Sequence, residues 1–348
     1  MNRYTLLHKI TGFKDSINCI QFSPTHRYFA VGSDEGYTRI YKTDSGDCLV
    51  ELLGVNTVTA LFWHPSQDDQ LLKFFIGYGD GSVAVYFVDP VRIERELRTV
   101  SSESVQIDFD AEGPVEDFAF NPTSLYLSVI IGTQVFMCLS LNNEASHDPA
   151  LITTNPRAMA DPPSLHDYKT DTPRSNPPQP RNVHFAIKSN NLIVSYLEHG
   201  VVCWDGKGKN IVRQIAIETH ERHIVVHNLL SGFDQYDLRT GERLATHLVN
   251  TPPECNIGLP VLFIHKDADL LFGDIRGEVT IADLGQHITQ RLAHPKESII
   301  QAVAYGEWRN NSYIVTGTAE TEASTFVYIW STNPSDYPAQ QEETRSKT

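Results

Sequence analysis

The sequence predicts an all-β chain folded as a seven-bladed β-propeller, with four antiparallel strands to a blade and the ring closed by the N-terminal strand joining the last blade. Three observations carry that expectation. Short apolar segments, rich in β-branched and aromatic residues and bounded by Gly, Pro, Ser or Asp, recur through the 348 residues, and segments of that kind read as strands. They fall into groups that return at a period of about 40 to 45 residues, the spacing of propeller blades. Finally, the chain starts with an extra strand pattern and ends on a group that stops after its third strand, so the two ends can complete one blade and remove an exposed sheet edge.

The clearest unit spans 12–44. Ile17, Cys19 and the run 20–22 end at Ser23-Pro24; Tyr28 to Val31 lead into Gly32-Ser33-Asp34-Glu35-Gly36; Thr38 to Tyr41 close before a second polar turn. The same grammar returns at 58–86, where a strand ends in Trp63-His64-Pro65 and another follows Asp80-Gly81, and at 115–139, where Asn121-Pro122 follows the first strand. Proline suits those turns because it cannot donate to a ladder.

Residues 141–180 change composition to Asn, Asp, Pro, Ser and Thr, with Asp161-Pro162-Pro163 and Asn176-Pro177-Pro178. A long disordered surface loop inserted into the ring is the expectation there, with Thr172 and Ser175 beside prolines. The pattern resumes at 183–205, 223–248, 259–292 and 299–330, and a fourth strand is expected at 210–217. The polar tail 331–348 is expected to be disordered. One domain therefore spans 4–330. The third strands end at Tyr41, Tyr86, Cys138, Trp204, Tyr236, Ala282 and Trp330, separated by 45, 52, 66, 32, 46 and 48 residues. The 66 contains the insertion; the 32 is short by about one strand and its turn, so the fifth unit should lack a good first strand or borrow residues near Ile215.

These units resemble the WD-repeat (WD40) family over 4–330 apart from the insertion. The resemblance rests on Phe22-Ser23-Pro24, Ala30-Val31-Gly32-Ser33, the run from Tyr78 through Gly79-Asp80-Gly81-Ser82 to Tyr86, and Trp204-Asp205 after Val201-Val202-Cys203. No Gly-His dipeptide occurs, and Trp-Asp occurs in one unit. Phe13 stands where the family has His, Tyr41 where it has Trp, and Glu35 follows Asp34 where the family has a single Asp before Gly. The family's His, Asp, Ser and Trp network is therefore not expected to be intact, and apolar packing between blades should carry more of the stability. The resemblance further implies that first strands line a channel, that turns between second and third strands open on its upper face, and that partners bind there. The exposed upper positions would be Lys14, Asp15, Ser33, Asp34, Glu35, Tyr78, Asp80, Glu198, His199, Asp274 and Arg276, with Glu320 in addition. Asp34, Asp80 and Asp274 have a competing use, bonding their own turn backbone.

A net charge of −15 argues against direct nucleic-acid binding, which requires clustered Lys and Arg. It favours a protein or peptide partner, basic segments included. Cys19, Cys48, Cys138, Cys203 and Cys255 show no paired spacing and an odd total, the pattern of reduced thiols in a cytoplasmic or nuclear protein; Cys19, Cys138 and Cys203 lie in apolar strands as small core residues. No signal peptide or membrane span is legible.

No catalytic constellation emerges, and neither cofactor nor metal is expected. His220, His223 and His227 are spaced three and four apart, but Ile224-Val225-Val226 makes the segment a strand, on which His223 and His227 share a face and His220 lies opposite. Gly77-Tyr78-Gly79-Asp80-Gly81 has no following helix to hold a phosphate. Asp108 and Asp110, and Glu116 and Asp117, read as solvated surface carboxylates, and His26 and His64 as turn residues with no function. The function expected is a non-catalytic scaffold for protein or peptide segments, a possible subunit of a larger complex. The alternative is a propeller enzyme or glycan binder using channel carboxylates and a divalent cation.

Overall fold

A computed structural model of the chain describes residues 4–54, 56–65, 72–89, 104–140, 153–162, 177–186, 190–204, 222–238, 240–249, 258–294, 298–319 and 325–332. The N-terminal strand β1 (Thr5–Phe13) stands apart from its sequence neighbours. Blade 1 follows as β2 (Ile17–Phe22), β3 (Tyr28–Ser33), β4 (Tyr37–Lys42) and β5 (Cys48–Leu53). Blade 2 contains β6 (Val58–Trp63), β7 (Leu72–Tyr78), β8 (Val83–Val88) and β9 (Ser104–Ile107). Blade 3 contains β10 (Val115–Asn121), β11 (Tyr126–Ile131), β12 (Gln134–Ser140) and β13 (Thr153–Ala158). Blade 4 shows β14 (Pro180–Ala186), β15 (Asn191–Tyr196) and β16 (Gly200–Trp204); blade 5 shows β17 (His223–His227), β18 (Gly232–Asp237) and β19 (Arg243–Leu248). Blade 6 contains β20 (Val261–Ile264), β21 (Asp269–Gly273), β22 (Glu278–Asp283) and β23 (Ile288–Ala293). Blade 7 contains β24 (Ile299–Trp308), β25 (Asn311–Ala319) and β26 (Thr325–Ser331), and β1 pairs with β26 as its fourth strand. Seven antiparallel sheets in a ring make a β-propeller.

One departure concerns the segment 141–180. Its composition predicts a disordered loop, yet Thr153–Ala158 pair with β12 as the outer strand of blade 3. Two threonines followed by Asn-Pro do not announce a strand. An edge strand, however, needs only one ladder, so it tolerates a proline.

Register shifts and closing hydrogen bonds identify which strands are present in blades 4 and 5. Where first and second strands pair, the ladder is offset near its start in blades 1, 2, 3, 4 and 7, between Ile17 and Cys19, Val58 and Ala60, Val115 and Asp117, Pro180 and Asn182, and Ile300 and Ala302, and is regular in blade 6. Pairs of second and third strands run without a shift. Pairs of third and fourth strands shift in blades 1, 3 and 6, between Ile40 and Tyr41, Met137 and Leu139, and Ile281 and Ala282, and run regularly in blade 2. The β17–β18 ladder is regular, and β18–β19 shifts between Gln235 and Tyr236. The Val249 N–H donates to Ser231 O after β19 as Gly54 does to Gly36 O and His294 to Gly277 O after the fourth strands of blades 1 and 6, so blade 5 shows its second to fourth strands and blade 4 its first to third. No first strand of blade 5 occurs among the described residues. Ile215, the expected strand 210–217, Asp205 and the tail from 333 onward lie outside them.

The core is distributed over the seams between blades. Ile17, Phe29, Val315 and Val327 join blades 7 and 1, for example, and Phe75, Val85, Val115 and Phe118 join blades 2 and 3. Each side chain so buried contributes about 1.5–3 kcal/mol. Glycines on second strands set the approach distance. A methyl group on Gly32 would lie 2.4 Å from Val58 Cγ1, on Gly77 2.4 Å from Val115 Cγ1, and on Gly317 2.5 Å from Ile17 Cγ2. Each glycine thus receives the first residue of the neighbouring blade's inner strand directly against its backbone.

Candidate functional site

The upper face is built by a repeated hydrogen bond. The Asp34 N–H donates to Ser16 O at 3.0 Å, Gly79 to Thr57 O at 2.9 Å, Gly132 to Pro114 O at 2.8 Å and Leu197 to Gln179 O at 2.9 Å. In each case the turn between second and third strands meets the residue leading into the inner strand of its own blade. Both loop classes thereby gather at one mouth of the channel.

Of the residues expected to be exposed there, Lys14, Asp80, Glu198 and Arg276 are exposed, while Asp15, Asp34, Glu35 and His199 are half-buried. Ser33, Tyr78 and Asp274 are not available: they are 0%, 2% and 6% exposed. Ser33 is the last residue of a second strand, not a turn residue, and its hydroxyl donates to Tyr37 O. Tyr78 packs against the loop leading from blade 1 into its own blade, so close that a methyl on Gly54 would meet its ring at 2.3 Å. Burial pushes its hydroxyl pKa up, and it offers no wall for an aromatic cage. Asp274 Oδ1 accepts the N–H groups of Arg276 and Glu278, both at 2.8 Å. Its carboxylate is used inside the turn. Glu320 lies outside the described residues.

The remaining carboxylates divide by what they touch. Asp80 Oδ1 accepts the Ser82 N–H at 3.0 Å and hydroxyl at 2.6 Å, bonds that hold its pKa below the usual carboxylate value while leaving the residue exposed. Asp34 reaches away from its turn: its Oδ1 accepts Asn18 Nδ2 at 2.6 Å. Asn18 Nδ2 also donates to Val58 O at 3.0 Å, and Asn18 Oδ1 accepts from Gln301 Nε2 at 3.4 Å. Inner strands of blades 7, 1 and 2 are thus linked across the channel mouth. Glu35 accepts the Lys14 N–H at 2.5 Å and lies 3.8 Å from Arg39, whose guanidinium packs on Phe13 and Tyr37.

Blades 3 and 4 meet at a second polar seam. Arg181 pairs with Glu116 at 2.7 Å. Asp117, expected to be solvated like its neighbour, turns inward instead, accepting Val183 N–H at 3.0 Å and Phe118 N–H at 2.9 Å. Burial pushes its pKa up to about 6 despite these donors. The offset between Val115 and Asp117 breaks the alternation by which two adjacent strand residues point to opposite faces, so the sequence alone could not aim this side chain. Beyond the seam, Asp108, Asp110 and Glu112 are exposed. A methyl on Gly81 would lie 3.0 Å from Ala111 O and 2.8 Å from Gly113 O, so the Asp80 turn abuts that acidic loop. Neither 74–89 nor 104–134 contains Lys or Arg.

The histidines are structural. Of the candidate metal trio, His220 lies outside the described residues. His227 packs on Phe233 at 5.0 Å, accepts Leu259 N–H at Nδ1, and is held down to about pKa 4 by burial. No group of three or more His, Cys, Asp or Glu among the described residues is placed to hold a metal ion. His26 is not idle in its turn: its ring Nδ1 meets the Glu307 backbone across the seam of blades 7 and 1. His64 is buried against Phe120 at 4.4 Å. None of the described cysteines Cys19, Cys48, Cys138 and Cys203 is in a disulfide, and Cys138 is buried. No helix among the described residues is long and apolar enough to cross a membrane.

Blade 7 keeps part of the family's network. His294 Nε2 lies 2.6 Å from Thr316 Oγ1, and Trp330 Nε1 donates to that oxygen at 3.3 Å. Three members of the His, Asp, Ser/Thr and Trp network are therefore joined here. Ala293 in place of glycine hid the His from a search for Gly-His; a His preceding an inner strand, followed by a unit ending in Trp, was the available signal.

In comparison with known families, residues 4–42 match the model of the WD domain, G-beta repeat (WD40). They cover β1 and the first three strands of blade 1. No curated protein matches the chain.

Proposed function

The chain is a WD40-repeat β-propeller, and on that premise we propose that it is a non-catalytic scaffold whose upper face holds a Lys/Arg-rich segment of a partner protein. Propellers of this family generally bind proteins or peptides. The observation that carries the finer reading is the acidic arc over blades 2 and 3, where Asp80, Asp108, Asp110 and Glu112 are exposed on two stretches, 74–89 and 104–134, that carry no Lys or Arg. Such a field raises the local concentration of a basic segment and favours its encounter. The Lys14–Glu35 corner is a weaker docking point, because Glu35 already has partners in Lys14 and Arg39. Four described cysteines without a disulfide support work in the cytoplasm or nucleus, where the chain would serve as part of a larger complex.

The test is titration of the full chain with a labelled Lys/Arg-rich peptide and with an acidic peptide of the same length. Selective binding of the basic peptide, weakened about tenfold, or roughly 1.4 kcal/mol, by Asp80→Lys with Asp110→Lys, is expected, together with a steep loss in salt. Equal binding of both peptides, or indifference to the two reversals, would sink the assignment.

A further inference from the structure

The strand that joins the two ends of the chain is poorly held by its own ladder. The β1–β26 pairing is offset twice, between Leu6 and His8 and between Ile10 and Phe13. Only Leu7 and Phe13 of the nine β1 side chains are buried. A strand with an irregular ladder and few buried side chains lies at the low-stability end of a fold and should open first.

What compensates lies on the neighbouring blade. Gln290 of β23 clamps the main chain of Tyr4, its Nε2 donating to Tyr4 O at 2.7 Å and its Oε1 accepting Tyr4 N–H at 2.9 Å. The Tyr4 ring is buried and stacks on His265 at 5.8 Å. Its hydroxyl meets His265 Nε2 at 2.7 Å, and His265 Nδ1 meets Asp269 Oδ2 at 2.6 Å. A carboxylate can only accept, so Nδ1 carries the proton towards Asp269 and Nε2 accepts from the tyrosine. Both ring nitrogens of His265 are satisfied by one arrangement. The turn that presents the imidazole is held in an unusual backbone form, with His265, Lys266 and Asp267 at φ 53°, 57° and 68°. Non-glycine residues persist there only when their surroundings fix them.

We propose that Tyr4 is a latch, locking the N-terminal strand to blade 6 through the Gln290 clamp and the His265–Asp269 relay, and that its release is the step by which the propeller opens at blade 7. The pairing of β1 with β26 makes the seventh blade complete; the latch decides how often β1 leaves it. Blades 6 and 7 consequently open as one unit at this seam, since the residue preceding a blade 7 strand is bound by blade 6 side chains.

Amide hydrogen exchange of the full chain tests this. Tyr4→Phe keeps the ring and removes only the hydroxyl; Gln290→Ala removes the clamp; the two are also combined. In the double variant, amides of 5–13 are expected to exchange about tenfold faster than in the unaltered chain, while those of Ile17–Phe22 and Tyr28–Ser33 in blade 1 keep their rates. An unchanged ratio of rates between 5–13 and blade 1 in the double variant overturns the latch, whether because neither segment responds or because both respond equally. The single variants then divide the effect between hydroxyl and clamp.

Discussion

The carboxylate of Asp117 on the inner strand of blade 3 accepts the main-chain N–H of Val183 on the inner strand of blade 4 at 3.0 Å. Burial outweighs the donors of Val183, Phe118 and Asn182 and raises this group to about 6. An unfolded aspartate titrates near 3.9. Between those values the folded chain holds the proton more tightly than the unfolded one, so this site stabilises the fold at pH 4 and loses that contribution as pH rises through 6. Asp117→Asn does not titrate. Urea unfolding at pH 4.5 and 7 should show the unaltered chain losing about 1 kcal/mol relative to Asp117→Asn over that interval, allowing for the residue's partial exposure. A constant difference would contradict the raised carboxyl.

His64 gives the opposite trend. Its ring is buried against Phe120, its Nε2 has no partner, and burial, reinforced by nearby Lys73, lowers its pKa to about 4. Below about 6.5 the unfolded chain takes up a proton that the folded chain refuses. Stability therefore falls as pH drops from 6.5 towards 4. His64→Leu, close in volume and without the ring nitrogens, should remove about 2 kcal/mol of the loss between pH 7 and 5. Unfolding curves at the two pH values check this; an acid limb of unchanged depth would count against it.

The repeat was legible because propeller strands are short, apolar and bounded by turns, and because each unit repeats the same demands on Gly and Pro. What the sequence could not show was aim. Asp117 was misplaced because a bulge resets alternation, and Tyr78 because a residue counted as turn belongs to the buried end of a strand. The outer strand at Thr153–Ala158 was hidden because an edge strand has one paired side and little apolar burial to advertise. The latch was illegible for a different reason: Tyr4 and Gln290 are 286 positions apart, and the repeat pattern does not pair them.

Thr316 makes the partial network of blade 7 testable. Its hydroxyl sits between His294 Nε2 and Trp330 Nε1, and the residue is fully buried. Thr316→Val keeps the shape and removes the oxygen, leaving two ring nitrogens without their partner. A loss of about 1–3 kcal/mol is expected by denaturant unfolding. Trp330→Phe combined with Thr316→Val should lose less than the sum of the separate changes, because both delete the same bond. Additive losses would show that the tryptophan nitrogen and the hydroxyl act independently.

The glycines at the seams carry the strongest steric prediction. A methyl on Gly77 would stand 2.4 Å from Val115 Cγ1 and 2.5 Å from Val115 Cβ. Real contacts do not reach that distance, so blade 3 must move or Val115 must shift within a cluster shared with Phe75, Val85 and Phe118. Close-packed seams yield poorly to added volume. Gly77→Ala should therefore destabilise the chain by about 1–3 kcal/mol through overpacking, whereas Gly241→Ala, at a turn with no atom within 4 Å but φ of 71°, should lose only the smaller strain of a left-handed alanine, about 1–2 kcal/mol. Steric crowding also predicts a specific rescue. Val115→Ala in the Gly77→Ala background returns the space that the added methyl occupies, so the double variant should be more stable than the sum of the two single losses implies. Simple additivity in urea unfolding would mean that the glycine is required for its backbone freedom and not for the approach of blade 3.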